Sequence, residues 1–489
     1  MQPWLDLARI HAPLLIIVTP LAAAALAVLG PGGRFAWIVA SLGALISAVL
    51  SVDLAWRMLE RDAPQPDVLE GVALDVNGVA VFCATVLACA GVPVLFATGA
   101  MLRRDVRPRA APLAMALLSC AIAAWIAALF AADLSSILVA VETAWLCGVA
   151  FLAIAAEQDR GALSAALRML ITGGVAAALM LLGVGFVERG LGASDLEALD
   201  DVSIAAPRLA GVGAGLMLVA LTMKAGLAPL QVWVGPAFGR ASAGAALVLA
   251  VLGVIGALAV MTRVGVAAVG APVIGDGVAA ALAAIAVFTV AIGSIQAVGA
   301  SNVRRMAAYA SVAQAGCALI GVALGSPAGL AATLVQILAQ MAAMLALFGG
   351  ATAIEGKAPM SALDGLSKRA PLASATMTFG ALSMMGAPLM TGFLARWRLI
   401  EAGVGGGWWW TAAAMIGASL AAVVYGGRMI ERLYFRRATQ AIEQGGDLWR
   451  LVRVPALIFA VAVLAWGVEP SLLLRAADAA AQLDLGEGS

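Results

Sequence analysis

The sequence predicts an all-α polytopic membrane protein of about fourteen transmembrane helices, with two inverted five-helix repeats and two broken helices. Three observations lead there. Of 489 residues, 63% are hydrophobic and only 12% charged, and the mean hydropathy is +1.02, so most of the surface cannot face water. The apolar residues fall into runs of about 20, the length that a hydrocarbon core near 30 Å requires of a helix. Two of those runs are interrupted by glycine and proline at matching places.

The runs cover approximately 10–30, 35–56, 78–101, 112–132, 134–156, 162–187, 209–230, 241–262, 277–298, 304–325, 328–353, 371–402, 408–434 and 453–473. The first lacks a strongly basic leader and a convincing small-residue cleavage end, and is taken as a retained helix. Connections are short except for "RDAPQPDVLEGVALDVNG", "GLGASDLEALDDVSIAAP" and "RRATQAIEQGGDLWRLVR", and no soluble domain is inserted. The chain therefore divides as one membrane domain over 1–489: helices one to three in 1–111, a first repeat in 112–262, a second in 277–434, and a last helix and tail in 435–489.

Basic residues orient it. Loops after odd-numbered helices, among them "RRDVRPR" (103–109), "NVRR" (302–305), "KR" (368–369) and "RLYFRR" (432–437), collect roughly seventeen Lys and Arg against roughly seven on the other side. Odd loops then face the cytoplasm, and both termini lie on the outer, periplasmic side of a bacterial inner membrane. A count of twelve helices would instead place both termini inside.

Several function classes drop out. The formal net charge is +1 and the arginines are dispersed between apolar runs, so nothing points to nucleic acid. Cys83, Cys89, Cys120, Cys147 and Cys317 sit inside apolar stretches without C-x-x-C spacing, as small core residues do. His11 alone cannot build a metal or haem site from imidazole, and reads as an interfacial residue. With no strand-plus-glycine fingerprint and no cysteine motif, the chain carries no cofactor, catalytic or metal site of its own.

The broken helices are "KAGLAPLQ", closing the seventh run with Gly226 and Pro229, and "GAPLMTG", inside the twelfth with Gly386, Pro388 and Gly392. Glycine and proline free backbone groups, tolerated in a membrane only where protein or water satisfies them again. A matched pair of such breaks is the pattern of inverted repeats around an ion or substrate site near the midplane.

Charges within the runs are few. Glu142 lies mid-helix in "LSSILVAVETAWLCGVAFL", Lys224 just before a break, Arg396 just after one in "TGFLARWRLI", and Arg168 a turn or two into the sixth helix. Each costs roughly 2.5–3.5 kcal/mol at a helix centre, so each needs a partner or a wet cavity. Glu142 and Lys224 read either as a structural ion pair or as a proton or cation relay, and the adjacent break favours the relay. Arg396 keeps its charge and biases a path without carrying the proton. Arg168 either snorkels to the cytoplasmic surface or reaches toward Glu142. Gln336 and Gln340, four residues apart, share one face of the eleventh helix, as water holders or as interhelical glue. "GGGWWWTA" (405–412) is an interfacial aromatic belt.

At these residues the sequence resembles a known family. "KAGLAPLQVWVGPAF" is similar to the seventh-helix signature of the antiporter-like membrane subunits: the three large ion-translocating subunits of respiratory complex I and the A- and D-type subunits of Mrp cation/proton antiporters. "SNVRRMAAYASVAQAGCALIG" resembles the start of the family's tenth helix, "LDGLSKRAPLASATMTFGALSMMGAPLMTGFLARW" its broken twelfth, and "ALRMLITGG" the start of its sixth. "HAPLLIIVTPLAAAALAVL" and "GGGWWWTAAAMIGASLAAVVYGGRMIERLYF" look most like D-type Mrp subunits.

The resemblance implies a row of polar residues along the membrane midplane: glutamate on helix five, lysine on seven, lysine or histidine on eight and eleven, lysine or glutamate on twelve. Glu142 and Lys224 match the first two positions, and Arg396 takes the last in place of lysine. Helix eight, "AGAALVLAVLGVIGALAVM", offers no ionisable residue. Helix eleven offers Gln336, Gln340 and Met344, and Gln231 stands where histidine is frequent after the seventh-helix proline. The expected function is an ion-translocating membrane subunit, for H⁺ or a monovalent cation such as Na⁺ or K⁺, of an Mrp-type or complex I-like assembly. Its partners are then the other membrane subunits and the lipid bilayer, with redox chemistry elsewhere in the assembly. The interrupted row raises an alternative: a degenerate, structural subunit that fills its place without conducting.

Overall fold

A computed structural model describes residues 11–60, 74–101, 106–155, 160–200, 206–354, 358–437 and 446–486, with Arg9 and Gly356 besides. Arg103, Arg104, and the connections at 61–73 and 438–445 lie outside the described residues. Among those described the fold is helical, with only isolated β-bridges.

In chain order come α1 (Ala12–Leu29), α2 (Gly33–Leu59), α3 (Gly78–Met101), α4 (Ala111–Phe130), α5 (Leu134–Ala155) and α6 (Arg160–Leu191). The seventh helix is split into α7a (Pro207–Ala225) and α7b (Val234–Arg240). Then follow α8 (Ala243–Gly270), α9 (Gly275–Gly299), α10 (Val303–Ala323) and α11 (Pro327–Ala351). The twelfth is split into α12a (Pro371–Met385) and α12b (Thr391–Gly405); α13 (Trp410–Tyr434), α14 (Gly446–Val468) and α15 (Ser471–Leu485) end the chain.

Every predicted run falls on a helix, but the count of fourteen spans is only approximate. Among the described residues, twelve helices are long and apolar enough to cross a membrane. The pair formed by α14 and α15, bent by 80°, makes a thirteenth if taken as one span. The two halves of the twelfth helix have 15 residues each, too short singly for a 30 Å core. The amphipathic α15 carries Arg475, Asp478 and Asp484 and escapes a search for continuous apolar runs.

The most interior helices are α8, α10 and α11, whose apolar windows are 94%, 94% and 100% buried. Sequence chemistry starts them cleanly. Ser326 accepts the Gly329 N–H before Pro327 opens α11, and Asn302 accepts the Arg305 N–H ahead of α10. Around them α1, α2, α6, α9 and α13 bury only a third or so of their windows and turn Leu, Ile, Val and Phe outward, as a lipid- or subunit-facing wall must. The chain is an integral membrane protein. Trp408 and Trp410 stack at 5.6 Å beside the exposed Trp409, in keeping with an interfacial belt.

The two breaks share one geometry. Gly226 and Gly386 lie in the left-handed region at φ 71° and 74°, where a side chain is strained. Leu227 N–H bonds Thr222 O at 2.9 Å, and Ala387 N–H bonds Leu382 O at 3.0 Å, the six-to-one bond of a Schellman end in both places. A tight turn follows each: Leu230 N–H to Leu227 O, and Met390 N–H to Ala387 O. Gly392 is needed for space, since a Cβ there would stand 1.8 Å from Ser383 O.

Candidate functional site: a buried ion pair beside a helix break

Lys224 ends α7a fully buried, its Nζ 2.9 Å from Glu142 Oε1 on α5. Apart from each other, neither atom has a hydrogen-bond partner among the described residues. The glutamate side chain is 21% exposed, so the pair opens on that side only. Nζ also lies 4.7 Å from the ring centroid of Trp145, one turn along α5 from Glu142, a cation–π contact. Gly173 on α6 makes room for that indole: a Cβ there would meet Trp145 Nε1 at 1.9 Å.

The break next to Lys224 is closed by side chains. Trp233 Nε1 donates to Met223 O at 2.9 Å, while its ring meets Trp145 edge-on at 5.2 Å. Thr289 of α9 donates to Ala228 O at 3.2 Å, and Gln231 donates weakly to Gln296 of α9 at 3.4 Å, leaving its own Oε1 buried without a donor. The aromatic contacts run on from Trp233 to Phe238, and from Phe238 to Phe348 on α11.

A second polar cluster surrounds the other break. Arg396 on α12b is 4% exposed and donates to Met384 O, the carbonyl freed at the end of α12a, and to Ser419 on α13. Gln314 on α10 donates to the same Met384 O at 3.1 Å and accepts Gln336 Nε2 at 3.0 Å. Gln340 donates to Ser311 Oγ and O at 2.9 and 3.1 Å. Both helix-eleven glutamines thus tie α11 to α10 through their amide nitrogens, while each keeps a buried, undonated Oε1. Arg396 has no carboxylate partner among the described residues; it caps a broken helix as a fixed charge.

The two clusters are not joined by polar side chains in α8. Its middle, Leu249–Val254, forms a π-turn on the helix where the resemblance implies a lysine or histidine. Beside it a cavity of about 20 Å³ is walled by Leu118, Trp125, Trp145, Met169, Leu249 and Leu252 among others, an apolar lining ill-suited to hold a file of water.

Of the expected site residues, the structure brings Glu142 to Lys224 and joins Gln336, Gln340 and Arg396 to one region through α10. Arg168 is exposed on α6, on a face that also turns Leu167, Leu170 and Ile171 outward. Arg263 is an addition. The helix continues to Gly270 past the hydropathic end at 262, so Arg263 lies inside α8, bonded to Asp75 at 2.8 Å and Ala128 O at 3.0 Å. Trp145, Trp233 and Gln314 were also missed; the signals available were the i, i+3 spacing of Glu142 and Trp145, and a lone amide mid-helix in "SVAQAGC".

Residues 131–422 match the family described as NADH:quinone oxidoreductase/Mrp antiporter, TM. The chain is 28% identical to NADH-quinone oxidoreductase subunit N of Mycobacterium tuberculosis (strain ATCC 25618 / H37Rv), over 72% of this chain and 68% of that protein. It is also 28% identical to subunit N of Desulforudis audaxviator, over 94% and 95%. Among solved structures it is similar to a chain of the Mrp complex from Dietzia sp. DQ12-45-1b, with TM-score 0.85, 20% identity and 98% of both chains covered. A chain of the archaeal membrane-bound sulfane sulfur reductase gives 0.83 at 21% over 98% of both. A chain of respiratory complex I from Thermus thermophilus gives 0.78 at 22%, over 95% and 98%. At these identities the structural likeness is one of fold.

Proposed function

Because the chain belongs to the NADH:quinone oxidoreductase/Mrp antiporter transmembrane family, we propose that it is an ion-translocating membrane subunit of a multisubunit Mrp-type or complex I-like assembly, with Glu142 and Lys224 as its switchable pair. One observation carries this reading. Among the described residues, Lys224 and Glu142 hold each other by a single 2.9 Å contact and by no other hydrogen bond, next to a helix break. The other interior arginines are multiply tied: Arg263 to Asp75 and Ala128 O, Arg304 to Ala241 O and Ile354 O, Arg396 to Met384 O and Ser419. A singly tethered buried pair can exchange partners; a multiply tied one is a fixture.

In this account, protonation of Glu142 or a charge arriving from a neighbouring subunit removes the partner of the Lys224 ammonium. The freed lysine moves along Trp145 toward the break. The chain supplies the charge switch, other subunits supply any redox chemistry, and both termini face outward in a bacterial inner membrane. The two matched breaks support the assignment of inverted repeats to 112–262 and 277–434. Ion transport by vesicles holding the whole complex, with Glu142→Gln or Lys224→Ala in this chain, tests the switch; wild-type rates in both variants would refute it.

A second reading, a structural subunit that does not conduct, is favoured by the apolar middle of α8 and by Arg396 as a fixed cap. It predicts that loss of the chain disrupts assembly while Lys224→Ala leaves transport untouched.

A further inference from the structure

α1 and α5 both pack on α4 and leave a slot of about 430 Å³ between them, open to the outside of the chain. Its walls are Ile17 and Leu21 of α1 and Val139 and Ala140 of α5, over a floor of Ala123 and Ala127 of α4. Alanine hollows the slot, because its methyl group leaves space that a larger side chain would fill. Leu21 and Val139 are 48% and 63% exposed, so this part of the apolar wall is uncovered.

Length and width restrict what can enter. Along α5 the lining runs from Ser135 to Thr143, a rise of about 12 Å and close to the ~15 Å of one leaflet's hydrocarbon. A helix 10–12 Å across needs roughly 900 Å³ or more over that length, about twice the slot. A single acyl chain is narrow enough. Thr143 follows Glu142 directly, so the methyl end of such a chain reaches the depth of the buried ion pair, with its headgroup beside the exposed Ser135 and Ser136 where α5 begins.

The mouth of the slot is acidic. Ser135 donates to Glu188 Oε1 of α6 at 3.1 Å, and the Ser136 N–H donates to Asp133 Oδ1 at 2.7 Å. Neither carboxylate has a salt-bridge partner among the described residues. Two such carboxylates repel an anionic headgroup and offer acceptors to an ammonium.

We propose that the slot binds one acyl chain of a phospholipid from the leaflet at the α5 N-terminus, and that Asp133 and Glu188 select a headgroup with a primary ammonium, as in phosphatidylethanolamine. The site does not depend on the reading of Glu142 and Lys224 as a switch.

The test places the intact complex in vesicles containing phosphatidylethanolamine with a diazirine on one acyl chain, irradiates them, and maps adducts on this chain by mass spectrometry. Adducts should form at Ile17, Leu21, Val139 and Ala140. They should be lost in Val139→Trp, which fills the slot from an exposed position, and persist in Val175→Trp on the outward face of α6. Phosphatidylglycerol bearing the same diazirine chain should label the slot less, and the difference should vanish in Asp133→Asn/Glu188→Gln. A slot without adducts, covered by another subunit or empty, would overturn the site. Adducts that persist in Val139→Trp would mark bulk lipid and overturn it equally. Equal labelling by both lipids in wild type would overturn the headgroup selection. If Val139→Trp does not assemble, the wild-type map still decides whether the slot is occupied.

Discussion

Trp233 donates its indole N–H to the carbonyl of Met223 across the break in α7, at 2.9 Å. That bond strengthens a carbonyl which otherwise receives only the long 3.3 Å bond from the Gly226 N–H at the broken end, in a place where water is scarce. Trp233→Phe keeps an aromatic ring and removes only the donor. It should cost about 0.5–1.5 kcal/mol, the net worth of one hydrogen bond, since the Gly226 N–H still reaches that carbonyl. Hydrogen–deuterium exchange should show faster opening of the segment around Met223 and Gly226, with helices such as α10 unchanged.

Gly226 and Gly386 should resist alanine. A left-handed φ costs an L-residue about 1–2 kcal/mol, and each new Cβ would also press on a neighbour: Val234 Cγ2 at 2.6 Å or Arg396 Nη1 at 2.8 Å. Gly417→Ala, on α13 with nothing within 4 Å of its Cβ, is the control. Thermal unfolding of the purified complex should fall for the first two variants and hold for the third.

Breaking the ion pair should be asymmetric. Glu142→Gln leaves a fully buried ammonium without its counter-charge, a loss of about 3–5 kcal/mol for pairs of this kind. Lys224→Met leaves a partly exposed carboxylate and should cost less. The double variant Glu142→Gln/Lys224→Met should be more stable than Glu142→Gln alone, since the orphaned charge is gone. Chemical denaturation of the three variants in detergent would show the order.

Trp145 should matter through its ring. Trp145→Phe keeps a weaker cation–π face for Lys224, whereas Trp145→Leu removes it, at about 0.5–2 kcal/mol. Gly173→Ala, whose Cβ would collide with the indole nitrogen, should mimic Trp145→Leu. Transport rates ranking wild type, Phe, then Leu and Gly173→Ala would support a positioning role for Trp145.

The parts of this fold that were legible in sequence are those where one residue contradicts its surroundings. Lys224 and Glu142 stand out because a charge in an apolar run demands a partner, and the helix breaks because glycine and proline cannot continue a span. What stayed hidden depends on helix rotation and on tertiary partners. Arg168 could point inward or outward until α6 was seated. Trp145 and Trp233 are ordinary membrane-helix aromatics in sequence, and only packing makes one a cation–π face and the other a bridge over a break. Arg263 was missed because hydropathy ends the eighth run before it, whereas Asp75 and Ala128 O allow the helix to bury it. The amphipathic α15 carries no continuous apolar signal, yet Asp484 caps the start of α3 through the N–H groups of Gly78 and Val79.

The central claim is that Glu142 and Lys224 exchange partners during transport. Ion flux measured in vesicles holding the whole complex, with Lys224→Ala or Glu142→Gln in this chain alone and assembly verified, tests it most directly. The account predicts that both variants assemble and that flux through the complex is lost or sharply reduced in each. Normal assembly with wild-type flux in both would contradict it, and would leave the buried pair as a structural tie.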